Sequence, residues 1–292
     1  MILYDIENGL DEEYINVVKE RISKFPQLMQ DMLSDTYTKF CIVRKIPNAT
    51  GDYVYGKFVW PNTIYLQVSG QPLKAFHRTI AHECAHFIDN LITADYYDYS
   101  KVAEEFLTSL NSERERIENC YPIIKEGYPE YYFSGETFAR VSTVSLTPDL
   151  KPYPYCNSTS LSSEIPRTLE AVDEFYRELP KIYKQYSIKT RNKLIKAFGR
   201  ELSTSVAFQY MLFEKKSFNV YNSNKNSFII AKAFPENNYE LILGKVYIKN
   251  GHIYNSRNED CIALLKEFYK QNIEKYRREF YYIWVFERLW CY

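Results

Sequence analysis

The sequence predicts an α+β fold, in which a small antiparallel or mixed sheet packs with helices and an α/β accessory region follows. Three observations predict it. Leu73 to Asn90 reads as one long helix: apolar residues recur at Phe76, Ile80, Ala81, Cys84, Phe87 and Ile88, and neither Gly nor Pro interrupts it. Short stretches ahead of it, Phe40 to Val43, Asp52 to Trp60 and Thr63 to Val68, carry the β-branched and aromatic residues of strands. Further along, helical periodicity gives way to strand patterning near Ser227 and returns in an aromatic tail. The expected organisation is one domain over residues 1–182 and a C-terminal accessory domain over 183–292, with no flexible linker between them.

The elements follow in order. Asp11 to Ser34 reads as two helices split by Pro26, with Asp11, Glu12 and Glu13 crowding the first start, where the helix dipole favours acids. Phe40–Val43 is a strand, and the two strands flanking Pro61-Asn62 form a hairpin. After the long helix come a charged helix near Lys101–Leu110 and another over Ser112–Cys120. Gly127 to Phe133 reads as a loop, and Ser134 as the cap of a helix reaching Leu146. Lys151 to Ser160 is an irregular connector. Pro166, favourably placed in a first turn, opens a helix to about Leu179, and Thr190 to Phe213 is helical again. Ser227–Phe234 and Tyr239–Tyr254 read as strands, with Asn250-Gly251 as a hairpin turn, and Asn258 to Tyr292 as a long helical tail.

Composition narrows the function classes. The 292 residues hold 37 acidic and 37 basic side chains, so no bulk field points to nucleic acid or to an anionic membrane. No apolar run is long enough to span a bilayer. The first residues lack the basic start and apolar core of a secretory signal, so the expected location is cytoplasmic at synthesis. Export by a dedicated machine would leave no mark in the sequence. The six Cys are scattered without a C-x-x-C pair and read as reduced thiols.

The chemistry concentrates in His82-Glu83-Cys84-Ala85-His86, an H-E-x-x-H stretch inside the long helix. Residues four apart lie one above the other on a helix face, so both imidazoles reach one metal ion. Glu83 is rotated away from them, close enough to act on a water there but not to be the main ligand. Half of the protein's four His lie in this pentapeptide. The bland alternative is a helix with two partly buried His and a solvated Glu.

A catalytic zinc takes three protein ligands and keeps one position open. His77 lies well around the helix from His82, and His252 lies in the second part of the chain; both read as surface or packing residues. Position 89 is Asp and position 92 Ile, which excludes the metzincin continuation. Glu136, in Ser134-Gly-Glu-Thr-Phe-Ala-Arg140, sits in the first turn of a predicted helix with Phe138, Ala139 and Val141 on its apolar side. Spacing alone leaves it equally a ligand or a carboxylate that merely suits a helix start.

His82 to Asp89, a Tyr-containing loop and then Glu136-Thr-Phe-Ala together resemble the catalytic domain of anthrax lethal factor and its relatives, the Pro-Pro endopeptidases. Pro166 to Phe175 is similar to that family's closing helix, and Phe25-Pro26, Gly56-Lys-Phe and Ile64-Tyr-Leu to its opening helix and strands. The resemblance covers roughly residues 10–180 and implies a zincin-like domain of the gluzincin class. It implies one Zn2+ per chain on His82, His86 and Glu136, Glu83 as general base, and a loop tyrosine as oxyanion donor. It further implies cleavage near proline and a toxin or effector role. Two departures stand out. The family carries an acidic residue four places after its glutamate ligand, where this chain has Arg140. A cation cannot accept a bond from a ligating imidazole, so Asp89 is expected behind the metal ligands instead. The family's tyrosine position is occupied by Pro129; counting back from the Ser134 cap favours Tyr131, with Tyr132 and Tyr128 as alternatives.

The function expected is therefore a zinc endopeptidase acting on an extended protein segment, which would add to an edge strand, Thr63–Val68. The role of the accessory domain and the oligomeric state are not readable. Two alternatives stand beside this reading. One is a cytosolic metallopeptidase that cleaves a regulator, although no DNA-binding or sensor module is evident. The other is a metal-free, peptidase-like binding protein, for which Arg140 speaks.

Overall fold

The computed structural model describes residues 1–46, 54–93, 98–150, 161–200, 228–230, 245–250, 252–271 and 273–290. It is α+β, mostly helical, with a small mixed sheet near its start. The chain divides into two compact units, Met1–Lys184 and Gln185–Tyr292, with the division inside one helix.

In the first unit four strands line up in the order β1 (Leu3–Ile6), β2 (Lys39–Val43), β4 (Thr63–Gln67), β3 (Gly56–Val59). The first three are parallel, and β3 returns antiparallel along β4. The opening strand β1 has no counterpart in the sequence reading, where its four residues lacked the length to show a period. A second difference concerns the edge. Thr63–Val68 was expected to be an edge strand, yet β4 pairs with β2 on one side and β3 on the other. The parallel crossover through α1 (Glu13–Ser23) and α2 (Gln27–Asp35) places β2 beside β1, and the chain then passes through β3 before β4 joins the other side of β2, so among the described residues β3 is an edge of the sheet. The turn between β3 and β4 is tied down by Asn62: its Nδ2 donates to Thr36 O at 2.7 Å, and its carbonyl accepts from Lys39 N at 2.9 Å.

The long helix α3 (Leu73–Thr93) buries Phe76, Ile80, Cys84, Phe87 and Ile88, as its periodicity requires, and meets the sheet where the Phe87 ring lies against Phe58 of β3. Its first amides after Pro72 are met by the proline carbonyl, which Ala75 N and Phe76 N reach at 2.9 and 3.0 Å. A 3-10 turn (Tyr99–Lys101), α4 (Glu104–Ser112), α5 (Arg114–Cys120), α6 (Pro122–Gly127) and a second 3-10 turn (Glu130–Tyr132) lead to α7 (Phe133–Leu146). The stretch read as a loop, Gly127 to Phe133, thus holds the last residue of α6, a 3-10 turn and the first residue of α7. Ser134 is not the cap: α7 already begins at Phe133, and Tyr132 in the cap position makes no side-chain capping bond. The preceding 3-10 turn runs straight into α7, so no side chain is needed to start it.

The α7 helix lies across α3, and Phe138 anchors the core behind them. Its ring meets Phe106 at 5.6 Å and Phe175 at 5.0 Å. Phe175 belongs to α9 (Pro166–Arg177), which follows the single turn α8 (Leu161–Glu164). The connector at 151–160 lies outside the described residues. The next helix, α10 (Leu179–Phe198), starts eleven residues earlier than Thr190, because Pro180 fits a first turn and does not interrupt it.

The second unit holds an antiparallel sheet, β5 (Phe228–Ile230), β6 (Lys245–Lys249) and β7 (His252–Asn255). Asn250 between β6 and β7 takes a positive φ of 51°, as the turn reading requires. The helical tail is two helices, α11 (Cys261–Lys270) and α12 (Ile273–Trp290). Asp260 caps α11 by accepting from Ile262 N and Ala263 N at 2.8 and 3.1 Å. Cys41, Cys84, Cys120 and Cys261 are buried; Cys156 and Cys291 lie outside the described residues.

Candidate metal centre

The helices α3 and α7 bring His82, His86 and Glu136 together. One ligand atom from each lies within 4.8 Å of the other two, the one such group among the described residues. His82 and His86 stack along α3 with their Nε2 atoms 3.2 Å apart and their rings nearly perpendicular, at 89°. Glu136, on the first turn of α7, faces both: its Oε1 is 3.3 Å from His86 Nε2 and its Oε2 3.7 Å from His82 Nε2. The two imidazoles remain 19% exposed, so the cluster is open to solvent on one side.

The electrostatics suit a bound cation. Burial, and then the charge of His86, lowers the pKa of His82 to about 3. Burial pushes His86 down as well, but the bond to Glu136 and its charge outweigh that and raise it to about 9. Glu136 is held down at about 2: burial opposes its charge, but the His86 bond and the nearby His82, His86 and Arg140 prevail. The two rings thus hold one proton between them, shared against one carboxylate. Glu136 Oε2 is buried and makes no hydrogen bond. An unmet buried carboxylate oxygen costs free energy that a cation would recover. Two imidazole nitrogens with one carboxylate form a donor set that catalytic zinc uses. The residues therefore fit a divalent metal.

Glu83 is buried, and burial raises its carboxyl to about 7, where it can both accept and release a proton near neutrality. The amide of Phe58 on β3 bonds to it, and Gly56 on the same strand lies against it. Sequence reasoning missed both contacts; a glycine inside a strand, which marks a close approach, was the available signal. It also missed the Ala139 carbonyl, which bonds the His82 ring and fixes its orientation.

Asp89, expected behind the ligands, lies one turn beyond His86 on α3. Fully buried, it accepts from Ser100 N at 2.7 Å and Ser100 Oγ at 2.8 Å, and it acts on His86 through charge. Arg140, one turn beyond Glu136, brings Nη2 to 3.7 Å from Glu136 Oε2. The three candidate tyrosines separate. Tyr131 is 66% exposed and stacks on Tyr132, itself 45% exposed. Tyr128 is half-buried. Its phenol is raised by burial and by the charges of Glu136 and Glu83, and it bonds to Arg140. Tyr131 was favoured by counting from Ser134, and with α7 starting at Phe133 that ground is gone.

No family model matches the chain, and no curated protein matches it. Among solved structures, a Pro-Pro endopeptidase from Paenibacillus alvei is similar at a TM-score of 0.41 and 18% identity, over 60% of this chain and 96% of that one. No described helix is long and apolar enough to cross a membrane.

Proposed function

We propose that the first unit is a zinc-dependent endopeptidase of the gluzincin class. The observation that supports it most is the convergence of His82, His86 and the unbonded Glu136 Oε2, with Glu83 beside them on α3. When bound, zinc would supply Lewis acidity toward a peptide carbonyl and a water. The residues divide the remaining work. His82, His86 and Glu136 hold the metal. Glu83, with its carboxyl near 7, takes a proton from water and gives it to the departing amine. The Tyr128 hydroxyl, whose oxygen faces Arg140, donates to the carbonyl oxygen as negative charge builds there. An extended peptide pairs with the free edge of β3, in place of the interior strand β4. A proline near the cleaved bond, and a toxin or effector role, rest on the sequence resemblance alone.

A second reading has one observation in its favour. Arg140 lies close enough to Glu136 to neutralise it, and a cation there opposes a second one. On that reading the unit binds peptides without metal. Metal analysis of the purified chain decides between them: one zinc per chain is expected, lost in His82→Ala. Glu83→Ala should keep the zinc and lose cleavage of a peptide library. A chain that takes up no zinc at micromolar concentration leaves only the binding reading. Cleavage by Glu83→Ala within tenfold of the parent removes Glu83 as the base.

A further inference from the structure

Strand β3 does more than offer an edge. The carbonyl of Tyr55 accepts from Gln67 N at 2.8 Å, so Tyr55 faces β4. Successive residues of an antiparallel strand alternate between the paired and the free side. Gly56 and Phe58 therefore turn their amides to the free edge, and Glu83 bonds to the Phe58 amide from that side. The Phe58 ring meets Phe87 of α3 at 6.1 Å, so the side-chain direction shared by residues 56 and 58 points at the helix. A methyl group on Gly56 would collide with Glu83: it would lie 2.7 Å from Cγ and press on Oε1. It would also lie 2.7 Å from Cγ2 of Thr79, one turn before Glu83. Thr79 cannot simply rotate away, because its hydroxyl bonds Gln71 Oε1 at 2.9 Å and Ala75 O at 3.2 Å.

We propose that β3 is the seat of Glu83, with Gly56 leaving the space its carboxylate occupies and the Phe58 amide fixing its direction. Gly56 and Phe58 are thus positioning residues, and the inference rests on the peptidase reading for its catalytic meaning. The physical reason is that a buried carboxylate on a flexible two-carbon arm has several rotamers. Only those aimed at the cleft are useful to a base, and small misplacements of a reacting group are costly. The strand removes the others from one side by contact and from the other by a directed bond. It also sets which main-chain groups remain for an incoming peptide. Among the described residues no strand pairs with the Gly56 amide and carbonyl or the Phe58 carbonyl, while the Phe58 amide is held by the base.

The test uses the full chain and a background in which Thr79→Ser removes the second collision while keeping the hydroxyl bonds. Into it go Gly56→Ala, Glu83→Ala and both together, each measured for zinc content, melting temperature, kcat and KM. Gly56→Ala should lower kcat at least tenfold with KM and zinc content unchanged. It should lower the melting temperature by several degrees with Glu83 present, and by less than half as much when residue 83 is Ala. A melting penalty independent of residue 83 overturns the seat. A dependent penalty with kcat unchanged overturns its positioning role. Should the parent cleave nothing, the peptidase reading fails by itself, and the melting cycle still decides whether the seat exists.

Discussion

Glu113 and Glu136 are two buried carboxylates of the same unit, and they are treated in opposite ways. Glu113 has a side chain with no exposed surface, and its oxygens are fully used. They accept from Arg167 N at 3.1 Å and Thr168 N at 2.8 Å at the start of α9, with Arg116 Nη2 at 3.6 Å. A negative charge at a helix start, bonded to its first amides, is a joint between elements. Glu136 also sits near a helix start, yet its Oε2 has no hydrogen bond, and it faces two imidazoles that are mutually crowded. Burial and charge alone do not separate structural from functional carboxylates. What separates them is whether bonding capacity is exhausted or left over and convergent.

The largest expected effects test that contrast directly. Glu136→Ala should weaken zinc binding by more than about a hundredfold, since loss of a residue merely supporting a ligand already costs about 10–100-fold. It should leave the metal-free melting temperature close to the parent's. Glu113→Ala should do the reverse, with zinc affinity within a few fold and stability lowered by about 1–3 kcal/mol for each amide left without a partner. Isothermal titration with zinc and denaturant melts read the two quantities. If Glu113→Ala lost the metal or Glu136→Ala unfolded the chain, the distinction between joint and site would be wrong.

Next in size is the pair of loop tyrosines. Tyr128→Phe should lower turnover about a hundredfold with zinc retained, the usual cost of deleting one oxyanion donor. Tyr131→Phe should stay within a few fold, because its ring is mostly in solvent. Equal losses in both variants would mean that the loop rearranges when substrate binds.

The part of the site that sequence makes legible is the part a single helix dictates. His82, Glu83 and His86 follow from helical spacing, and the structure faces the two rings toward each other. Glu136 needed the resemblance, because the approach of α7 to α3 depends on Phe138, Phe106 and Phe175 packing behind them, which no local pattern encodes. The same limit hid the seat of Glu83. Gly56 and Phe58 meet it through the pairing of β3 with β4, a tertiary event. The edge strand was misassigned for a related reason. Alternation in Thr63–Val68 reports one buried face, but it cannot say how many neighbours the strand has. The cap at Ser134 failed because a 3-10 turn can feed a helix directly, leaving the favoured cap residue inside it.

The smallest effect concerns Asp89, a third kind of buried carboxylate: bonded on both oxygens, yet strained by a like charge. Burial and then the nearby Asp98 raise its pKa to about 7, against the opposing Ser100 bonds and the charge of His86; Tyr176 is the other titratable group that feels it. Its unfolded pKa is the ordinary 3.8. A carboxyl raised by folding binds its proton more tightly in the native state, so the stability it contributes is complete below about pH 4. That contribution is lost as pH rises through 7. Asp89→Asn keeps an acceptor for Ser100 N and a group that can bond Ser100 Oγ, and it does not ionise. Its melting temperature relative to the parent should therefore rise by several degrees between pH 4 and pH 8, each kcal/mol being about 2–4 °C in a unit of this size. The measurement belongs in chelator, because zinc on His86 would itself favour the ionised form. Glu83 and His86, both raised by their surroundings, titrate in either protein, so the difference between variant and parent isolates residue 89. A difference that stays constant from pH 4 to pH 8 would show that Asp89 is ionised throughout, its charge met by the Ser100 bonds alone.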